Sequence, residues 1–370
     1  GITTAALYVA TKAISGVVKV GAGFEKAMSN VAAITGATGK ELQALEKNAK
    51  DLGSSTVFTA SQVAELQTEF AKLGFTSKQI TAVTKDTLAL ASATGSDLAT
   101  SAAVAGQTLR AFGLGVEETS RVTDTMAKSF SASALDMDKF TNSMQYVAPI
   151  AKQVGLSIES TTGMLGTLAN AGISGSMAGT SLRKILLELG NESSKLGKRI
   201  GFPVKSADDL QKAFKQLNKE GLTTAEMEDL VGTRAISAFN LLLEGADKTA
   251  ELTKAFENSA GAAQRMADVQ LDNLSGKMTL LNSAMEGLGI SIFDHFVEPL
   301  GGAVESMTSF IGAVDDYMKI PVSEKLREES ARLNTLVSAL KRNIDKEEVR
   351  KRLLIELNKN YPDFLKNINQ

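Results

Sequence analysis

The chain contains no cysteine, no tryptophan, one histidine and five prolines among 370 residues. Absent cysteine excludes disulfides, thiolate metal sites and a cysteine nucleophile. A Ser-His-Asp triad or a histidine zinc site would rest on His295 alone. That residue sits in the run SIFDHFVEP with no visible partner set, and reads as a surface or interfacial histidine near a helix end. Scarce proline removes the strongest helix breaker. Aromatics are 5%, so an apolar share of 43% comes mostly from Ala, Leu, Val and Ile, which suits close helix packing. Net charge is −2, leaving no global basic field for nucleic acid. Long uncharged runs are also missing. Residues 1–35 are apolar, yet Lys12 and Lys19 interrupt them short of the roughly 20 residues that a membrane span needs. No arginine-rich start or cleavage site marks a signal peptide. This segment reads as a buried or oligomer-packed helix, with a membrane-active segment as the sharper alternative.

What is present is helical periodicity with legible ends. Thr38–Glu41, Thr59–Gln62 and Thr76–Gln79 each place a hydroxyl three residues before Glu or Gln, the pattern of a capping box. Leu42, Leu45, Ala49 and Leu52 form a stripe expected to stop at Gly53. Val63, Leu66, Phe70 and Leu73 form the next, stopped by Gly74. A break is expected at Gly21–Gly23. Asp97, Val116 and Asp136 open further helices, the last of which Pro149 is expected to kink. A weak repeat recurs at Gly74, Gly113, Gly155 and Gly221: a helix end, the glycine, an apolar residue, then a new helix start. The intervals are too uneven for a regular solenoid. A DNA-reading helix-turn-helix is disfavoured because the second helices carry too few Arg or Lys at their starts. Residues 183–219 are locally basic and read as a solvated face. Ser206 starts a helix with Leu210, Ala213, Phe214 and Leu217 inward, and Gly201-Phe202-Pro203 breaks the chain just before it. Ala262 to about Val297 carries one long interrupted apolar pattern, and Pro299, Gly301 and Gly302 break it. A further helix is expected to Met318.

The most specific passage is residues 149–186, PIAKQVGLSIESTTGMLGTLANAGISGSMAGTSLRKIL. Gly155 is a helix stop and Ser157 the N-cap of the next helix. In that helix Ile158, Thr162, Leu165 and Leu168 give one apolar face. The small Gly163 and Gly166 allow another backbone to approach. Residues 172–179 carry too many glycines for a helix interior, so a turn is expected there and a third helix from about Thr180. Glycine and serine before a helix can cradle phosphate, but a nucleotide loop needs a preceding strand and an earlier lysine than Lys184.

At Pro149, Gly155, Gly172, Gly175, Ser176, Ala178, Gly179, Thr180, Leu182 and Arg183 the chain resembles the core of phage tail tape measure proteins, the family named after the lactococcal phage TP901. The resemblance runs from about Phe24 to Gly201. Leu326–Leu365 also looks like tape measures of phages that infect Bacteroidetes. The motif residues are structural; no catalytic residue, cofactor or metal is expected, and no enzyme.

The expected fold is all-α: a compact multi-helix domain of helix–turn–helix corners followed by longer amphipathic helices. The expected divisions are an apolar segment (1–35), a core (36–200), a second subdomain (201–260), interrupted amphipathic helices (261–320) and a charged helical pair or coiled-coil start (321–370). The resemblance implies a structural protein of the virion tail lumen, made in the host cytoplasm, which sets tail length and helps genome delivery. It implies self-association in several copies. The implied partners are tail tube, tail tip and assembly chaperone proteins, with contact to the host membrane at ejection and no sequence-specific nucleic acid. The alternative is a membrane-active or pore-forming helical module acting at DNA injection. A start at Gly1 and an end at Gln370 inside a helical pattern suggest a piece of a longer protein.

Overall fold

The computed structural model describes residues 4–296. Expectations for residues 297–370, including the helix to Met318 and the charged pair, lie outside the described residues. Among the described residues there are sixteen α-helices, two 3-10 turns and no strand, so the fold is all-α. In chain order the helices are α1 (Thr4–Thr35), α2 (Gly39–Ser55), α3 (Ala60–Lys72), α4 (Ser77–Thr94), α5 (Leu98–Phe112), α6 (Thr119–Ala132), α7 (Met137–Gln153) and α8 (Ile158–Asn170). They continue with α9 (Gly175–Leu189), α10 (Lys195–Ile200), α11 (Ala207–Glu220), α12 (Thr224–Val231), α13 (Ile236–Glu244), α14 (Ala246–Glu257), α15 (Ala262–Leu271) and α16 (Leu274–Phe296).

The chain forms two units, one made of residues 1–29, 47–61 and 279–370, the other of residues 30–46 and 62–278. In the first, α1 is unbroken through Gly21 and Gly23, where a break was expected. The reason is tertiary: the Phe293 ring lies on the bare backbone of Gly21, where a β-carbon would collide with it. Likewise Gly53 does not stop α2, which runs to Ser55; a β-carbon there would strike the Ala60 backbone. Lys50 pairs with Asp294 at 2.6 Å and lies over the Phe24 ring at 5.4 Å. Ser283 Oγ donates to the Val57 carbonyl, and Glu286 accepts from the Ser61 backbone N–H.

In the second unit the local rules hold. Thr76 and Gln79 form a full capping box, and Asp97, Asp136, Ser157 and Ser206 each accept the expected N3 amide. Gly74, Gly113, Gly155 and Gly221 all take φ between 65° and 78°. Phe75, Leu114 and Leu156 then donate to the carbonyl five residues back, and the preceding glycine to the carbonyl three back. That pair of bonds satisfies carbonyls the helix end leaves open. At the first corner Phe70 and Phe75 meet edge to face at 5.3 Å, the apolar contact that accompanies this motif. Gly172 closes a fifth corner in the same way, with Ile173 bonding to Leu168.

The interrupted apolar pattern from Ala262 is two helices, α15 and α16, broken at Asp272–Asn273, where the Asn273 side chain caps the Gly276 N–H. Helix α7 continues four residues past Pro149. One expectation is corrected in the second unit: helix α8 is buried on every side from Ile158 to Ala169, not on one face. It packs against α6, α7, α9, α13 and α14.

Candidate functional site

The motif residues gather where α7, α8 and α9 meet. Helix α9 begins at Gly175, five residues before the expected start. Gly175 opens the helix with a positive φ of 59°, whereas Gly179 lies inside it and is there for contact. A β-carbon on Gly179 would fall against the Ser143 carbonyl oxygen and backbone of α7. Ser143 Oγ donates to the Gly175 carbonyl at 2.9 Å and to the Lys139 carbonyl at 2.6 Å. Backbone thus meets backbone, the approach only glycine permits.

Around this crossing Ala178, Gly179 and Leu182 are buried, while Pro149, Ser176, Thr180 and Arg183 are exposed. Thr180 Oγ1 bonds back to the Ser176 carbonyl. Gly155 and Gly172 are corner residues with positive φ. The motif is thus one packed junction with an exposed rim. The predicted approach at Gly163 is present: Thr253 Oγ1 and the Thr249 carbonyl of α14 sit where its side chain would be. Thr167 and Thr249 hydroxyls bond at 2.8 Å beside it.

Two buried carboxylates were not foreseen. Glu159, on α8, takes a bidentate pair from Arg121 at 2.6 and 2.8 Å, and Arg121 also reaches Glu118 at 2.9 Å. Burial is the largest single influence on the Glu159 pKa and would raise it, but the Arg121 hydrogen bonds and charge, with backbone and Ser157 hydrogen bonds, together outweigh it and hold the pKa below its ordinary value. Asp124, on α6, is 4% exposed. It accepts from the N–H groups of Gly261 and Ala263 at 2.7 and 2.9 Å, tying the start of α15 to α6. The partners lie 38 and over 130 residues apart, so no local pattern announces them.

Asp86 on α4 is pushed above the usual carboxylate range, by burial first and by the charge of Asp124 second. A raised carboxyl favours the protonated fold, so its ionisation costs stability as pH rises through the window between unfolded and folded values. Glu159 has the opposite sign: its contribution is complete above the unfolded value and lost as pH falls through the folded one. Asp86→Asn is therefore expected to raise the melting temperature at about pH 7 and leave it unchanged at about pH 3, where Asp86 is protonated. Calorimetry at both values checks this; an equal gain at both would show an effect unrelated to charge.

The basic run of 183–219 is answered by acids at four of its residues. Lys184 pairs with Glu188, Lys195 with Asp229, Arg199 with Glu220 and Glu226, and Lys215 with Asp247. Lys212 lies over the Phe202 ring at 4.4 Å. A cleft of about 340 Å³ opens between α11 and α14, with Ser160, Phe214, Thr249 and Lys254 on its walls. Among the described residues no group of three or more His, Asp or Glu could hold a metal ion. None of the described helices is long and apolar enough to cross a membrane. The backbone of His295 lies in the last turn of α16; its side chain is outside the described residues.

Residues 46–233 match the family described as phage-related minor tail protein. The tape measure protein of Pneumococcus phage Dp-1 is 32% identical over 352 residues, 88% of this chain and 29% of that protein. The probable tape measure protein of Escherichia phage P2 is 31% identical over 75% of this chain and 36% of its own length. That of Clostridium phage phiCD119 is 24% identical over 80% of this chain and 34% of its own. The chain thus spans about a third of the length of these relatives. No solved structure matches it. With half its length in register with the family and its most specific motif forming the junction of α7, α8 and α9, the chain belongs to the phage-related minor tail proteins.

Proposed function

We propose that this chain is the compact core of a tape measure protein, the component whose length sets the length of a phage tail as tube subunits polymerise around it. The observation that carries the reading is the similarity to the Dp-1 tape measure protein across 88% of the chain. The role is structural and non-enzymatic. The motif from Pro149 to Arg183 supports the TP901-type assignment, Gly179 serving the helix crossing and Gly155, Gly172 and Gly175 the positive-φ corners. On this reading the parent protein occupies the tail lumen in several copies after assembly in the host cytoplasm. It meets tail tube, tail tip and chaperone proteins, and it contacts the host envelope when the genome leaves.

The physics of a ruler is simple: a helix advances 1.5 Å per residue, so residue count becomes distance. The test is tail length, by electron microscopy, in phage carrying in-frame helical deletions of the parent gene downstream of Gln370. Shortening by about 1.5 Å per deleted residue is expected. Tails of unchanged length would overturn the ruler and favour a membrane-active role at injection.

A further inference from the structure

The way α1, α2 and α16 pair fixes where the chain enters and leaves the first unit. Helices α1 and α2 are joined by three residues, so they form an antiparallel hairpin. Lys50 of α2 meets Phe24 of α1, each eleven residues from the helix end at the turn. Helix α16 runs antiparallel to α2. Ser283 bonds to Val57, the backbone of Gly287 faces Ser54, and Asp294 pairs with Lys50. A helix antiparallel to α2 is parallel to α1. The direct contacts agree: Gly289 lies against Val20, Phe293 against Gly21, and Asp294 is joined through Lys50 to Phe24. Gly21 and Gly289 let these two helices approach with little between them.

Parallel pairing has a metric consequence. Counting back sixteen residues from Val20 reaches Thr4, and counting on seven from Gly289 reaches Phe296. The chain therefore enters at one end of the pair and leaves at the other, travelling the same way. Net advance from Thr4 to Phe296 is about 35 Å at 1.5 Å per residue. The same residues in one extended helix would cover about 440 Å. This holds whatever the fold of residues 30–278, because the pairing of α1 with α16 sets both ends.

We infer that residues 4–296 form an insert of almost no ruler length, entered and left in the same direction along the α1–α16 pair. The inference rests on the ruler reading and adds to it: most of this chain does not measure.

Two experiments test it. First, residues 4–296 are deleted in frame from the parent gene and tail length is compared with that of the downstream deletions described above. Shortening by tens of ångströms supports the insert. Shortening near 440 Å overturns it while leaving the ruler intact. Downstream deletions without effect would remove the ruler reading and not the pairing.

Second, the pairing is read directly in the full-length protein in purified virions, which also covers the case in which the deletion assembles no tails. The chain has no native cysteine to interfere. A β-carbon at Gly289 would lie 3.5 Å from that of Val20, within disulfide range. Val20→Cys with Gly289→Cys is expected to form a disulfide on mild oxidation, seen as a linked peptide by mass spectrometry. Val17→Cys with Met285→Cys should join through a short bifunctional thiol reagent. Gly23→Cys with Met285→Cys, neighbours only if the helices ran antiparallel, should not. Linkage of the last pair in place of the first two would overturn the parallel insert.

Discussion

Gly179→Ala is expected to destabilise the second unit by about 3 kcal/mol, the upper range for forcing extra volume into a packed site. The added methyl meets the Ser143 carbonyl and backbone, not a side chain that can swing aside. Ala in place of Gly normally favours a helix by about 1 kcal/mol, so the sign of the effect is the diagnostic. With 2–4 °C per kcal/mol for a domain of this size, the melting temperature should fall by roughly 6–12 °C. A companion change tests the cause. Gly172→Ala alters a corner where no atom lies within 4 Å, so only its positive φ is strained. That variant should lose about 1 kcal/mol. A loss on Gly179→Ala no greater than that of Gly172→Ala would mean that the crossing yields to the added methyl. A gain on Gly179→Ala would show that α7 and α9 do not approach as described.

Asp124→Ala should cost about as much, for a different reason. Its carboxylate satisfies two N–H groups at the start of α15, and removal leaves the buried Ala263 donor without a partner. An unsatisfied buried donor costs about 1–3 kcal/mol. A total near 3 kcal/mol is expected, with Asp124→Asn losing roughly half because one oxygen remains. The loss should be local first. Limited proteolysis is expected to cut at residues 258–262 in Asp124→Ala before the rest of the domain melts. Unaltered cleavage there would sink the idea that this carboxylate holds the α14–α15 turn on α6. Asp86 should also respond, since the charge of Asp124 helps to raise it.

What could be read from sequence and what could not divides along chain distance. The caps at Thr76, Asp97, Asp136, Ser157 and Ser206 and the glycine corners are complete within six residues, so their chemistry is visible locally. Glycine inside a helical pattern carries two meanings, a stop or a point of contact. At Gly21, Gly53 and Gly179 the choice is made by Phe293, Ala60 and Ser143. Phe293 and Ser143 lie far along the chain from their glycines, and Ala60, although close to Gly53, gives no hint of facing a bare backbone. The motif at 172–180 was legible as special; its turn is present at Gly172–Ser174 but gives way to helix at Gly175, five residues early, because Gly179 is a contact glycine. Arg121–Glu159 and Asp124 escaped because an ion pair, or a carboxylate bonded to backbone N–H groups, between distant residues leaves no periodic trace. The face of α8 was read as single because Ser160, Thr161 and Thr167 count as polar, although all are buried there.

The make-up of α8 bears on synthesis. Its main neighbour α14 begins about 75 residues after α8 ends, which at ribosomal rates of 5–20 residues per second is a wait of roughly 4–15 s. Throughout that interval the strip that will receive α14 stands uncovered on the nascent chain. A strip of leucine would invite aggregation for as long as it waited. Instead it offers Gly163, Gly166 and Thr167, and the Thr167 hydroxyl is already bonded to the Gly163 carbonyl of its own helix. The most enclosed helix of the finished domain is thereby among the least sticky while it is still alone.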